Sequence, residues 1–355
     1  MIPDTIQEHL PVLQVVVPLL AAPLCVLVRR SRVSWCLAML VSWLVLAMAA
    51  CQLWQVHNFG PVVYQLGGWA EPWGIEYRLD RLGALVLLVI GSVAAVVSIT
   101  ANRLLQDVVP DSRRYLFFAT FLLCLTGLLG IVSTGDLFNV FVFLEIASLS
   151  SYVLISMGRS RRALTAAFGY LVMGTIGSTF ILIGIGLSYM MTGTLNITDL
   201  AERLRAGADP VNQTRTIQVA FAFLTVGLSL KLAVFPLHAW LPNAYSFAPS
   251  LVSAFLAATS TKVAYYLLLR VLFTIFGVVF VFDEMNLSHI LMPLALLAIF
   301  VGSAVAIYQA DLSRLLAYSS VAQIGYLVLA VSFATVTGLT AGIIHLFNHA
   351  LMKGG

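Results

Sequence analysis

Apolar residues along this chain come in long unbroken runs, and short stretches between the runs hold nearly all the charge. The runs fit at 11–28, 33–54, 81–102, 114–131, 137–157, 164–189, 216–247, 250–275, 288–308, 311–331 and 336–353. A hydrocarbon slab of about 30 Å takes roughly 20 apolar residues per helix. The pattern therefore predicts an all-α polytopic membrane protein with about eleven transmembrane helices. Each run is apolar on every side, so a transmembrane β-barrel, with its alternating apolar and polar positions, is a poor fit. Residues 55–80 do alternate, around Gly67, Gly68 and Pro72, and predict a small external hairpin, with a plain loop as the other reading. At 193–215, Leu195, Ile197, Leu200 and Leu204 recur among charges, which predicts a short amphipathic helix on the outer surface. Gly135-Asp136 stands before the fifth run as an N-cap would.

Composition narrows the class. The 355 residues are 61% hydrophobic and only 10% charged, with mean hydropathy +0.99, which excludes a water-soluble core-and-surface protein. The first residues, MIPDTIQEHL, are acidic and lead straight into the first run, so the first helix is expected to stay rather than be cleaved as a signal. Cys25, Cys36, Cys51 and Cys124 have no paired metal spacing and read as small packing residues, with neither a cluster nor a disulfide. No dinucleotide fingerprint, P-loop, CxxC or haem-attachment motif occurs, so no cofactor or metal is expected, and electron transfer would fall to other subunits. Basic residues are scattered among loops and make no nucleic-acid surface.

Charge also sets the expected orientation, because arginine and lysine in short loops resist translocation. With the N-terminus outside, the cytoplasmic loops hold Arg29, Arg30, Arg32, Arg103, Arg113, Arg114, Arg159, Arg161, Arg162 and Arg314 against Asp107, Asp111 and Asp311. The opposite side holds Arg78, Arg81, Arg203, Arg205 and Arg215 against a larger set of acids that includes Asp4, Glu8, Glu71, Glu76, Asp80, Asp283 and Glu284. The three lysines, Lys231, Lys262 and Lys353, all lie outside the loops, and Glu145 is the sole acid inside a run. Arg270 stands late in its helix, where it is expected to snorkel to the outer interface.

Each ionisable group at the bilayer centre costs on the order of 3 kcal/mol, so Glu145, Lys231 and Lys262 together cost about 9 kcal/mol. One reading is a structural ion pair between helices. The other is a proton relay: burial loosens an ammonium's hold on its proton, a neighbouring carboxylate tightens it, and moving one charge switches occupancy. Pro236, in GLSLKLAVFPLHAWLP, removes a backbone donor, clashes with the carbonyl of Leu232 and pushes Phe235 out of helical geometry. It predicts that the long run 216–247 is broken, with Lys231 in the last turn of the first half-helix. Broken helices at membrane depth line polar cavities. His238, just beyond the proline, reads equally as a proton carrier or as a satisfied hydrogen-bond donor. In GIIHLFNHALMKGG, His345, His349 and Lys353 are spaced by four and share one helix face. A metal site is the rival there, but no third ligand is in view and lysine is a poor one, which favours a relay.

Together these residues resemble the proton-translocating, antiporter-like subunits shared by Mrp cation/proton antiporters, membrane-bound hydrogenases and respiratory complex I. The resemblance covers essentially the whole chain and rests on GDLFNVFVFLEIASLSSYVL, LKLAVFPLHAWLPNAYSFAPSLVSAFLAATSTKVAYYLLLR, YSSVAQIGYLVLA and HLFNHALMKG. It implies that Glu145 and Lys231 form the charge pair of a first half-channel, that Lys262 passes protons laterally, and that His345, His349 and Lys353 link to a second half-channel. Lysine at 262 points to the D-type Mrp subunits or the smaller complex I branches, since the A-type Mrp subunits resemble the largest antiporter-like member of complex I in having histidine there. The wording around Glu145 looks closest to the D-type Mrp subunits. The resemblance further implies an inverted five-helix repeat, dividing the chain into an N-terminal three-helix segment at 1–110, a first repeat at 111–280 and a partial second repeat at 281–355. Asp136 and Tyr152 are echoed by Asp311 and Tyr326. Family members usually carry more spans, so the second repeat is expected to be incomplete: either the sequence is a C-terminally truncated product or fragment, or another chain supplies the second broken helix and its lysine. The function so implied is that of a proton-translocating subunit of a multi-subunit Na⁺/H⁺ antiporter, a transporter rather than an enzyme. The alternative is a proton-pumping subunit of a redox-driven complex such as NADH-quinone oxidoreductase or membrane-bound hydrogenase. Either way the expected partners are other membrane subunits, the lipid bilayer, protons and Na⁺, in the inner membrane of a prokaryote.

Overall fold

The computed structural model describes residues 4–205 and 214–354. Residues 206–213, part of the segment predicted as an amphipathic surface helix, lie outside the described residues. Among the described residues, ten helices are long and apolar enough to cross a membrane. A further helix, Val336–Gly354, coincides with the last predicted run but carries His345, His349 and Lys353 on its length. The chain divides into two compact units.

The first unit holds residues 1–167 and 248–255. Its helices are α1 (Asp4–Val28), α2 (Ser31–Phe59), α3 (Arg81–Leu104), α4 (Asp111–Ser133) and α5 (Leu137–Ser156). Helix α2 runs five residues past the predicted run, to Phe59, where Gly60 turns with φ 91. Strands β1 (Val62–Gln65) and β2 (Glu76–Leu79) then pair antiparallel, Val62 opposite Leu79. The hairpin is tied to the start of α5, because Gly135 N–H donates to the Glu76 carbonyl at 2.9 Å and Tyr77 bridges to Thr134. Asp136 caps α5, accepting from the Asn139 amide at 2.7 Å. Helices α4 and α5 approach closely where α4 lacks side chains: a Cβ at Gly127 would lie 2.5 Å from the Ala147 nitrogen and 2.7 Å from the Phe143 carbonyl oxygen. This small-residue seam, two residues from Glu145, fixes the height of α5.

The second unit holds residues 168–247 and 256–355. It contains most of α6 (Arg161–Thr192), then α7 (Ile197–Arg205), α8 (Arg215–Leu232), α9 (Trp240–Phe247), the larger part of α10 (Ser250–Leu269), α11 (Leu287–Ile307), α12 (Leu312–Ser332) and α13 (Val336–Gly354). Helix α7 is the described part of the amphipathic segment: Ile197, Leu200 and Leu204 are buried, while Asp199 and Arg203 pair at 2.9 Å on its polar side. The hydrogen bond from Arg203 holds the Asp199 carboxyl below its ordinary pKa. Helix α10 continues in wider turns over Arg270–Phe276. Arg270 donates to the Tyr266 hydroxyl at 2.9 Å and lies 4.9 Å from that ring's centre, so one turn of its own helix holds it.

Helices α6 and α8 meet through glycines, Gly177 and Gly184, seven apart on α6, and Gly227 on α8. A Cβ at Gly227 would sit 2.7 Å from the Gly177 carbonyl oxygen, and one at Gly184 would sit 2.6 Å from Leu224 Cγ. We expect Gly227→Leu to overpack this seam by about 1–3 kcal/mol. Detergent-solubilised protein should then melt at lower temperature than wild type, while Gly169→Leu, where a Cβ would meet nothing within 4 Å, should leave the melting point in place.

Candidate functional site

The break predicted at Pro236 is present. Helix α8 stops at Leu232, Ala233 takes a left-handed conformation (φ 60) as its cap, and α9 begins at Trp240. The Phe235–Pro236 peptide is cis. Carbonyls freed by a broken helix need donors, and here two are met: Val234 N–H reaches the Ser229 carbonyl at 2.9 Å, and the Trp240 indole N–H reaches the Leu230 carbonyl at 3.0 Å. Trp240 is held for this by stacking on Tyr170, ring centres 4.0 Å apart and planes within 4°. Nothing in the sequence pattern separated Trp240 from a packing aromatic; its role follows from the broken geometry beside it.

Lys231 occupies the last turn of α8, as expected, with only 6% of its surface exposed. Its stem lies over Gly177, whose added Cβ would be 3.7 Å from Lys231 Cγ. His238 stacks on Phe235 at 5.1 Å, and its Nδ1 is buried with no hydrogen-bond partner among the described residues. Glu145 stands half-buried on α5 in the first unit. Tyr152, on the same helix, lies within reach of the Glu145 charge. Glu145 belongs to the first unit and Lys231 to the second.

The other four predicted residues all fall in the second unit, and there the geometry is specific. Lys262, on α10, is 1% exposed and turns its ammonium back along its own helix, donating to the Ala257 carbonyl at 2.5 Å and to Thr261 Oγ1 at 3.3 Å. On α13, His345 and His349 stack with ring centres 6.0 Å apart and planes within 17°. His349 is 0% exposed, and neither of its ring nitrogens has a partner among the described residues. Lys353 donates to the Leu316 carbonyl at 2.8 Å and to Ser319 Oγ at 2.5 Å. Lys262 and Lys353 act electrostatically on each other and on His349, and Lys262 also on His345. These four groups therefore form one coupled cluster, bounded by α10, α12 and α13.

Helix α12 adds polar groups that had been assigned no role from the sequence. Ser319, Gln323 and Tyr326 are spaced by four and three on one face; Tyr326 lies edge-on to His345 at 5.9 Å, and Gln323 Oε1 is buried without a partner among the described residues. Their spacing within YSSVAQIGYLVLA was the available signal. No group of three or more histidine, cysteine or carboxylate side chains suited to a metal occurs among the described residues.

The fold and the cluster define a class: an all-α polytopic membrane protein with a broken helix and titratable side chains buried within its spans. Within that class, the chain belongs to the NADH:quinone oxidoreductase/Mrp antiporter transmembrane family, which it matches over residues 134–355. It is 43% identical, over 98% of its length, to the N subunit of NADH-quinone oxidoreductase from Desulforudis audaxviator, and 30% identical, over 84%, to the D-type subunit of the Na(+)/H(+) antiporter from Alkalihalophilus pseudofirmus. Its fold matches a chain of the membrane-bound sulfane sulfur reductase, an archaeal respiratory membrane complex, with TM-score 0.88 and 32% identity over 98% of this chain. The chain spans 68%, 58% and 69% of those three proteins respectively.

Proposed function

We propose that this chain is a proton-translocating subunit of a larger membrane assembly, and that protons pass through its second unit along Lys262, His345, His349 and Lys353. The observation that supports this reading most is the burial of His349, with both ring nitrogens unpartnered among the described residues, within reach of the charges of two lysines. Imidazole and amine are the groups that exchange protons near neutral pH when buried beside other charges. A purely structural cluster would spend that capacity on fixed hydrogen bonds. Glu145 and Lys231 supply the carboxylate and the ammonium of the first half-channel in this scheme, and His238 a branch beside the broken helix. The N-terminus is outside, at an inner membrane, as the distribution of arginines indicates.

We take the parent assembly to be a cation/proton antiporter of the Mrp kind, exchanging Na⁺. A second reading is a redox-driven complex, and the 43% identity to a protein named for NADH-quinone oxidoreductase favours it. Proton uptake measured in vesicles carrying the assembled complex decides between them: an imposed Na⁺ gradient should move protons without any electron donor in the first case, and only an added reductant and quinone should do so in the second. For the relay itself, Lys353→Ala should lower uptake on the order of 100-fold, the scale of a lost proton-transfer group, with normal complex on a native gel. Wild-type uptake by assembled Lys353→Ala would remove Lys353 from the path.

A further inference from the structure

Helices α12 and α13 run antiparallel, and the contacts between them come in layers. Ser319 meets Lys353, Tyr326 lies edge-on to His345 at 5.9 Å, and a Cβ on Gly342 would be 3.2 Å from Ala330 Cβ. Ser319, Gln323, Tyr326 and Ala330 share one face of α12 by their spacing, as Gly342, His345, His349 and Lys353 share one face of α13. The register set by the three contacts places Gln323 level with His349. Both carry buried polar atoms with no partner among the described residues: Oε1 in Gln323 and the two ring nitrogens in His349.

Lys353 does not use those acceptors. It stands four residues beyond His349, within reach of the imidazole on the same helix face, yet its ammonium is bonded across to α12, to the Leu316 carbonyl at 2.8 Å and to Ser319 Oγ at 2.5 Å. Ser319 gives its own hydrogen to the same Leu316 carbonyl at 2.8 Å, which leaves the hydroxyl oxygen free to accept from the ammonium. Ser320 reaches that carbonyl too, at 3.1 Å. Three side-chain donors thus converge on a carbonyl oxygen that has two lone pairs, whereas Ser319 Oγ accepts from the ammonium alone among the described residues. No salt bridge among the described residues includes Lys353. The charged and titratable groups around it are Lys262 on α10 and His349 on its own helix; Arg314, on α12, has its guanidinium 3.5 Å from Asn243 Oδ1.

We infer that Ser319 is a positioning residue that holds Lys353 at one of two stations: the observed one on α12, and a second, one turn away, formed by Gln323 Oε1 and the ring nitrogens of His349. The inference rests on the relay reading given above. At the first station the serine oxygen favours the charged amine and keeps it off the histidine. At the second, an N–H bond of the ammonium breaks as an N–H bond forms on a ring nitrogen of His349. The lysine ends neutral and the histidine charged, so charge and protons balance. The hydroxyl suits both charge states of the lysine, since it accepts from an ammonium and donates to an amine.

The test is the pH profile of proton flux through the whole assembled complex in vesicles, normalised to the amount of complex on a native gel. Transport through Lys353 needs its ammonium, so flux is present where the amine is charged and is lost as rising pH strips its proton. Ser319→Ala removes an acceptor of the charged form, so the amine gives up its proton more readily and the alkaline loss of flux should move to lower pH. The expected shift is about one pH unit, the scale of one hydrogen bond to a charged group. Ser319→Thr keeps the hydroxyl and should restore the wild-type profile. Gln323→Met keeps the length of the side chain and the first station but removes an acceptor from the second. Its flux should fall on the order of 10-fold, less than for a lost proton-transfer group, with the alkaline loss where it is in wild type. A wild-type profile in Ser319→Ala, a threonine variant that behaves like alanine, or wild-type flux in Gln323→Met would overturn the inference. Lys353→Ala run in parallel separates the two levels. If it stops flux while Ser319→Ala keeps the wild-type profile, the relay stands without its positioning serine; if it runs at the wild-type rate, Lys353 leaves the path and the inference goes with it.

Discussion

Replacing Lys262 with methionine should stop proton transport in a complex that still assembles. The side chain is 1% exposed, and its ammonium is held by the Ala257 carbonyl and the Thr261 hydroxyl of its own helix. Neither acceptor is a carboxylate, so no counter-charge meets the ammonium in these two hydrogen bonds, in a setting where charge costs on the order of 3 kcal/mol. Methionine keeps the apolar stem and abolishes the charge, and flux should fall roughly 100-fold or more if Lys262 carries protons itself. Two companion substitutions make the result diagnostic. Arginine keeps a positive charge but does not release its proton, so Lys262→Arg should be as inactive as methionine if release is the function, and active if the charge only braces the helices. Histidine restores a group that takes up and releases protons, so Lys262→His should recover a measurable part of the flux. An active arginine variant beside an inactive histidine variant would sink the relay and support bracing.

The spans were legible in the sequence because apolar runs of membrane length have few other uses, and the end of α8 was legible because Pro236 removes a donor in mid-run. The face shared by His345, His349 and Lys353 was legible for a similar reason: three polar groups four residues apart in an apolar helix have to coincide. Tyr265, Gln323 and Trp240 were not. Each carries its polar group at the end of a large side chain, and in a sequence such a residue looks the same whether that group meets a carbonyl, as Trp240 does, or nothing among the described residues, as the Tyr265 hydroxyl does. The direction in which a lysine turns was hidden too: Lys262 bonds back along α10, a choice made by local carbonyl access and not by spacing. Arg270 is held by Tyr266, a partner one turn away that the sequence placed within reach but did not single out.

Lys231→Met should have an effect of similar size, for a different physical reason. Lys231 ends a helix that cannot continue: Ala233 is left-handed, the Ser229 carbonyl is taken by Val234 and the Leu230 carbonyl by Trp240. The negative end of α8 therefore acts on an ammonium that is 6% exposed, with its stem pinned against Gly177 by the glycine seam to α6. A cation at a helix C-terminus is stabilised by about 0.3–1 kcal/mol, rising toward 2 in partly buried geometry, and that is too little to keep it charged against a mid-membrane cost near 3 kcal/mol. Its charge must then depend on a second group, which is the condition for a switch. Removing the ammonium while keeping the stem should drop proton flux about 100-fold, with normal assembly. Trp240→Phe is the informative control: it removes the indole donor from the Leu230 carbonyl, which keeps only the longer bond from the Ala233 amide at 3.2 Å, and so offers the ammonium an acceptor without touching the lysine. We expect that variant to transport more slowly than wild type yet far faster than Lys231→Met, because the group that moves the proton is still there. Equal, complete loss in both variants would mean that Lys231 serves the geometry of the broken helix and not the passage of protons.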